Sequence, residues 1–415
     1  MRNIGGSILA RMQPTADDLR AHWTLDPEVV FLNHGSFGAC PRAVLGEQDR
    51  LRAQIEREPV QFFVHALGPL LDAARAEVAT FVGARPEDLV FVRNATAGVN
   101  AVLASLRLAP GDELLTTDHV YHACHNALQH VCARAGARVV VAPLPFPISG
   151  PDEAIAAVLA GASARTRLAL IDHITSPTGV VLPVAEIVAA LAQRGIDTLV
   201  DGAHAPGMLP LELDALGAAY YTGNFHKWVC APKGAAMLHV RGDRQAGLHP
   251  SVISHGFDSS RSRSRLWEEF DWTGTDDPSP WLCVPTAIRW LGQLLPGGWP
   301  ALRARNRALL LEGRDILATA LGVAAPVPDA MLGTLAALPL PDGAHAPSSS
   351  LYADALQVAL FERHRIEVPV PPWPAPPRRL IRISAQVYNQ RSDYEVLAGA
   401  LRAELRLTDG VTAAR

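Results

Sequence analysis

The chain has 415 residues, 49% hydrophobic and 19% charged, with a formal net charge of −4. That length supports a large core and two lobes, and the mild acidity without a basic run argues against a nucleic-acid surface. No apolar run has the length of a membrane span, the first twelve residues are too short and broken for a signal peptide, and five scattered cysteines (Cys40, Cys124, Cys132, Cys230, Cys283) form no CxxC pair, so a reducing cytoplasm fits. Residues 1–11 read as a flexible extension, with Met12 as an alternative start.

Residues 14–22 read as a short helix capped by Thr15, with Asp17 and Asp18 in its first turn. Residues 32–38 read as a loop whose glycines let the backbone approach a ligand. A charged amphipathic helix follows at 42–57, ending before Pro59; residues 61–65 pack in or near the site, and residues 69–82 carry alanines and leucines at helical spacing. Residues 89–92 read as a strand, and Asn94-Ala95-Thr96-Ala97-Gly98 opens a helix. A strand, a small-residue turn and a helix N-terminus suit a phosphate, although no GxGxxG dinucleotide fingerprint occurs. Strands at 113–117, 138–141, 168–172, 198–200 and 235–240 alternate with helices at 154–160 and 184–194. This is the pattern of a parallel sheet with helices on both faces. Residues 249–280 are rich in Ser, Arg, Gly and Asp and contain Trp272-Thr273-Gly274-Thr275. Helices at 284–320 lead to a smaller domain: a segment at 332–340, a Pro/Ser-rich loop at 341–350, a helix near 351–363, a proline-rich bend at 369–377, a strand at 380–384 and a closing helix at 391–406.

The 37 Lys+Arg include only two lysines, Lys227 and Lys233, both within Thr222-Gly223-Asn224-Phe225-His226-Lys227-Trp228-Val229-Cys230-Ala231-Pro232-Lys233-Gly234. Arginine stays protonated and forms no Schiff base with an aldehyde; lysine does. The apolar strand at 198–200 ends in Asp201-Gly202-Ala203-His204, which puts a carboxylate at a strand's C-terminal edge, where open α/β sheets bind ligands. Pyridoxal phosphate needs a lysine for its aldehyde, a carboxylate for its ring nitrogen and donors for its phosphate. A rival reading takes His119, His122 and His125, with Cys124, as a metal cluster on one helix face.

The stretches DGAHAPG (201–207) and GNFHKWVCAPKG (223–234), with FLNHGSFG (31–38), NATAGVN (94–100), DHITSPTG (172–179) and IRIS (381–384), resemble the class V aminotransferases, fold type I of the pyridoxal phosphate enzymes. Within them the likeness is greatest to the isopenicillin N epimerase group, over about residues 25–405. The resemblance implies an α/β fold: an extension and short helix over 1–22, a large cofactor-binding domain over 23–285 built on a mainly parallel seven-stranded sheet, and a smaller α+β domain over 286–415. It implies that Lys227, rather than Lys233 on its turn after Pro232, holds the cofactor and shuttles the Cα proton. Asp201 then faces the ring nitrogen and His204 the ring hydroxyl. Ala95, Thr96, Asn224 and His226 hold the phosphate, Ser176 lies against the cofactor, and Tyr121 stacks on the ring with His122 beside it, either one a second proton donor. Asn33, His34, Gly35 and Ser36 line the substrate side, and Arg382 pairs with a substrate carboxylate. Thr275 reaches the neighbouring subunit's phosphate, which implies a homodimer with its site at the interface; the family usually continues with arginine where this chain has Asp276. The expected reaction is epimerisation or racemisation at Cα of an amino-acid-type substrate, with a C–S lyase or an aminotransferase as alternatives and no metal. No cysteine follows Cys283, so persulfide chemistry of the desulfurase kind is not expected.

Overall fold

The apolar runs of the sequence assemble into one central sheet. The computed structural model describes residues 15–260, 263–343 and 354–406. Its strands, numbered along the chain, are β1 (Val30–Phe31), β2 (Leu89–Val92), β3 (Glu113–Thr117), β4 (Arg138–Ala142), β5 (Thr166–Asp172), β6 (Asp197–Asp201), β7 (Tyr220–Asn224), β8 (Ala236–Val240), β9 (Leu335–Leu340), β10 (Ile366–Glu367) and β11 (Arg379–Ser384). Seven of them form a sheet in the order β2-β8-β7-β6-β5-β3-β4. β8 runs against both of its neighbours, and the other pairings are parallel. Helices cover both faces, so β2, β3 and β8 are buried along their whole length rather than alternating.

β7 is the strand that the apolar pattern does not announce. Tyr220-Tyr221-Thr222-Gly223-Asn224 looks like a turn, yet all five residues are buried. Gly223 is there for space, because a Cβ at that position would lie 2.7 Å from Pro206 Cγ. The parallel register sets Asp172 of β5, Asp201 of β6 and Thr222 of β7 side by side at one edge of the sheet. The edge that collects ligands in open parallel sheets therefore carries the acidic residues.

After the sheet, helices Val284–Leu294 and Gly298–Leu321 lead to the antiparallel pair β9–β11, which Gly298–Leu321 and the closing helix Arg391–Leu405 accompany. β1 pairs in parallel with β10, two residues against two, which is too short to leave a period in the sequence. The segment read as a loop at 32–38 contains one helical turn, His34–Phe37. The helix expected from residue 69 begins at Leu67, after a π-helical stretch at Phe62–Ala66, and the helix expected near 351–363 runs over Ala355–His364. Thr15 caps Ala16–Arg20 in a capping box with Asp18. The expected extension over residues 1–11 and most of the Pro/Ser-rich loop lie outside the described residues. No described helix is long and apolar enough to cross a membrane.

The two long C-terminal helices meet at a glycine. A Cβ on Gly313 would lie 2.5 Å from Tyr394 Cδ1. Tyr394 is buried and cannot withdraw without breaking its hydroxyl's 2.9 Å donation to the Ser384 carbonyl. Gly313→Ala is expected to lower stability by about 1–3 kcal/mol, read as a lower urea midpoint; an unchanged midpoint would mean that the helix pair shifts without strain.

Candidate active site

Lys227 lies in the tight connection between antiparallel β7 and β8. The amides of Phe225 and His226 both donate to the Ala235 carbonyl, and that of Ala231 donates to the Phe225 carbonyl, so the connection is closed on itself. Lys227 Nζ is 3.1 Å from His204 Nε2. The Trp228 indole, a donor only, points at His204 Nδ1 at 3.4 Å. His204 therefore accepts on Nδ1 and carries its proton on Nε2, facing a neutral amine. Burial is the main cause that lowers the Lys227 pKa to about 7, and the nearby Arg382 charge adds to it; Asp201 acts the other way. Burial also pushes the His204 pKa down, with help from Lys227.

Asp201 ends β6 with its carboxylate buried. Oδ1 accepts the Ala203 N–H at 2.9 Å, and the Cys124 thiol donates to Oδ2 at 3.3 Å. Among the described residues no arginine or lysine forms an ion pair with it, and burial raises its pKa. A buried carboxylate without a bonded cation is expensive. Its register neighbour Asp172 is buried too, and burial together with Asp201 lifts its pKa well above the usual range.

Arg382, on β11, is 4% exposed. Its Nη1 donates to the Ser176 carbonyl at 2.6 Å and to Ser176 Oγ at 3.2 Å, and Nη2 donates to Ser36 Oγ at 2.9 Å. Ser36 in turn donates to Asn33 Oδ1 at 2.5 Å. Of the four expected substrate-side residues, Ser36 thus meets the arginine and Asn33 backs Ser36. The other two face elsewhere. The His34 ring is buried against the Lys227 carbonyl, and the Cβ position of Gly35 is occupied by Leu335, 2.7 Å away.

At the other end, Asn94 caps the helix Ala95–Ser105 and accepts the Ala97 N–H at 2.8 Å. Asn224 Oδ1 takes the Ala95 N–H at 2.8 Å, so Asn224 latches this helix N-terminus to β7. Thr96 is half-buried in the first turn, and His226 Nδ1 donates to the Ala235 carbonyl at 3.2 Å. Tyr121 immediately precedes the helix His122–Ala135 and is 42% exposed, with His122 also exposed. Thr275 is exposed on its loop, where Asp276 pairs with Arg93, the residue before Asn94. The departure from the family's arginine is therefore matched by a charge partner within the same chain.

The histidine cluster does not form. His119 precedes the helix, is fully buried, and bonds Thr178 Oγ1 at 2.8 Å and the Leu144 carbonyl at 3.3 Å, with its ring edge on Trp373. The helical face assumed for the three imidazoles starts only at His122. Among the described residues the one group of three convergent ligands is Asp88, Asp214 and His239, where Arg85 already pairs with Asp88. Sequence reasoning missed Cys124 under Asp201, Trp228 behind His204, and Asp172; the last lies in the DHITSPTG stretch and was within reach.

The family described as Aminotransferase class-V matches residues 46–397. Isopenicillin N epimerase of Streptomyces clavuligerus is 36% identical over 400 residues, covering 93% of this chain and 98% of that protein. Putative L-cysteine desulfhydrase 2 of Oryza sativa subsp. japonica is 35% identical over 420 residues, covering 93% of this chain and 86% of that protein. The crystal structure of the cysteine desulfurase CsdA from Escherichia coli superposes with a TM-score of 0.76 at 21% identity, covering 95% of this chain and 99% of that one; at that identity the likeness bears on the fold.

The depressed Lys227 pKa has a thermodynamic sign. The unfolded amine holds its proton to 10.5 and the folded one releases it at about 7. Between these values the unfolded state binds more protons, so stability rises with pH, by up to about 1.4 kcal/mol per unit. In cofactor-free protein, Lys227→Met should therefore gain most over the parent at neutral pH and below, and its advantage should shrink as the pH climbs toward the unfolded value. Urea unfolding in neutral and alkaline buffers checks this; a constant difference would mean an ordinary amine.

Proposed function

Because the chain belongs to the class V aminotransferase family, we propose that it is a pyridoxal phosphate enzyme that removes and returns a proton at Cα of an amino-acid-type substrate, an epimerase or racemase. One observation carries this reading: an amine of near-neutral pKa, Lys227, stands within electrostatic reach of both Asp201, a buried carboxylate without an ion pair among the described residues, and Arg382, a buried guanidinium. These residues fit the cofactor. A protonated ring nitrogen would give Asp201 the cation it lacks, and the latched helix N-terminus at Ala95 and Thr96 suits the phosphate, with Asn224 and His226 beside it. When bound, the cofactor supplies an aldehyde for an amine and a ring that accepts the charge released at Cα.

The chain's own residues supply the rest. Lys227, half-deprotonated near neutrality, is the base for the Cα proton. His204 presents Nε2–H toward the ring hydroxyl. Arg382, held by Ser36 and Ser176, would take the substrate carboxylate and orient the amino acid. Tyr121 would lie against the bound cofactor, and Tyr121 or His122, at the exposed start of their helix, would return a proton to Cα. A second reading, C–S bond cleavage, is favoured by the desulfhydrase relative, whose identity is nearly that of the epimerase. It needs the same residues and a leaving group on the β carbon. A desulfurase is less favoured. All five cysteines are buried, and the last, Cys283, precedes β9–β11.

The test combines trapping with exchange. Borohydride reduction should label Lys227 and spare Lys233, and Lys227→Ala should lose the visible absorbance of the bound cofactor. Solvent deuterium should enter Cα of a substrate found in a panel of amino acids, without keto-acid formation; sulfide with keto acid marks the lyase, and turnover only with a second keto acid marks an aminotransferase. Arg382→Ala should raise KM about 10- to 100-fold, the loss of a charged hydrogen-bonded pair.

We further propose that residues 23–285 form the cofactor domain and 286–415 the smaller one, that the protein works in the cytoplasm, and that it is a homodimer with Thr275 near the partner's phosphate. Support for the dimer comes from exposed apolar residues, Val60, Val64, Val252, Ile253 and Phe257. Val64 also lines a cleft of about 800 Å³, with Phe63, His65 and Trp272. Paired charge substitutions, Val64→Glu with Ile253→Glu, should give a monomer with weakened cofactor binding by sedimentation and absorbance. A parent that is already monomeric and fully loaded would overturn this.

A further inference from the structure

The two groups proposed to do the chemistry sit on different sheets. Lys227 follows β7 of the seven-stranded sheet, and Arg382 lies on β11 of the two-stranded one. Among the described residues no strand ladder joins those sheets, and the direct tie from the large sheet to Arg382, its donation to the Ser176 carbonyl beyond β5, does not involve the segment that carries Lys227. The distance from the base to the carboxylate holder matters, because a displacement of about 1 Å at a reacting group is enough to lower a rate roughly 100-fold.

One short segment touches both. The His34 ring is 0% exposed: Nε2 is 3.0 Å from the Lys227 carbonyl, with the Gln386 amide nitrogen at 3.3 Å and Cys230 Sγ at 3.8 Å, and Nδ1 is 2.6 Å from the Tyr388 hydroxyl. A carbonyl only accepts, so Nε2 carries the proton and Nδ1 accepts from Tyr388. Burial, with the charges of Lys233 and Lys227, holds the His34 pKa at about 3, so the ring stays neutral in this tautomer. Its backbone N–H donates to Ser384 Oγ at 2.8 Å, two residues from Arg382 on β11. Two residues after His34, Ser36 Oγ meets Arg382 Nη2. At the end of the turn, Gly38 has φ +69°, and a Cβ there would lie 1.9 Å from the His226 carbonyl. The second lysine of the chain closes the set: Lys233 Nζ donates to the Gly38 carbonyl at 3.1 Å.

We propose that the turn over residues 33–38 is a spacer that sets the position of Lys227 relative to Arg382, with His34 and Lys233 as positioning residues on the lysine side and Ser36 on the arginine side. This assigns His34 a role through the Lys227 backbone rather than through contact with the substrate, and it accounts for the second lysine. The inference rests on the reading that Lys227 and Arg382 carry the reaction.

The scarcity of lysine makes the test direct. Reductive methylation with 13C-formaldehyde puts labels on two side-chain amines, and Lys233→Arg assigns them. In cofactor-free protein, Tyr388→Phe and His34→Ala should move the Lys227 titration up from about 7 toward 10.5, as the connection loosens and admits water. Ser36→Ala should leave it in place. In the loaded enzyme, Tyr388→Phe should lower kcat about tenfold or more with KM little changed, and Ser36→Ala should raise KM about tenfold with kcat within about twofold. His34→Gln, which can both donate to the carbonyl and accept from Tyr388, should recover part of what His34→Ala loses. The spacer is overturned if the Lys227 titration ignores both His34→Ala and Tyr388→Phe, or if every variant moves kcat and KM together. Failure of borohydride to label Lys227 in the parent would instead overturn the functional reading, and the titration still reports on the spacer.

Discussion

Lowering the proton affinity of one buried amine, Lys227, is the condition on which the rest of the site depends. Water is excluded from Lys227 by the protein packed around it, and Arg382 opposes a second positive charge nearby. Asp201, which pulls toward the ammonium, already has its oxygens engaged by a backbone N–H and a thiol. The imidazole in contact with the amine is itself neutral, its tautomer set by the Trp228 indole. Burial and Arg382 together outweigh the carboxylate, and the balance lies well below an ordinary amine.

The sheet explains why these groups meet. Parallel strands in register end at one level, and that alone places Asp172, Asp201 and Thr222 together. The reversal at β8 adds something that a parallel connection does not: a short link back into the same sheet, pinned by the Ala235 carbonyl at its base. Within it Cys230 adopts φ +55°, uncommon for a residue with a side chain. The lysine is thus carried on a constrained link instead of a long surface loop.

Legibility in the sequence follows the range of the interaction. β2, β5 and β6 were readable because burial on both faces leaves short apolar runs at their centres. Lys227 and Asp201 stood out as candidates because lysine is scarce and because an apolar run ending in Asp-Gly is distinctive. β7 was not, since its Thr, Gly and Asn are chosen by neighbours far along the chain: Pro206 leaves no room for a Cβ, and the Ala95 amide uses the asparagine. The turn at His34–Phe37 is too short and too glycine-rich to show a period. The histidine cluster was misread because a face was assumed before the helix start was known. His34 and Tyr388 lie 354 residues apart in the chain, and no local pattern carries such a pair.

The same charges give the site an order of events. In the empty pocket the Arg382 guanidinium helps to hold the Lys227 pKa down to about 7, so much of the amine is free at neutral pH. On the proposed reading, a substrate carboxylate then pairs with Arg382 and cancels much of its field at Lys227. Lowering of the amine's proton affinity is thereby relieved when the substrate is seated, which is when a proton has to be taken from Cα. Asp201 contributes in the opposite sense. Once a ring cation sits against it, less of its negative charge reaches Lys227, which limits the rise. Burial keeps the amine's proton affinity low throughout, and on this reading the charges of Arg382 and Asp201 adjust it about that level, lower before binding and higher after it.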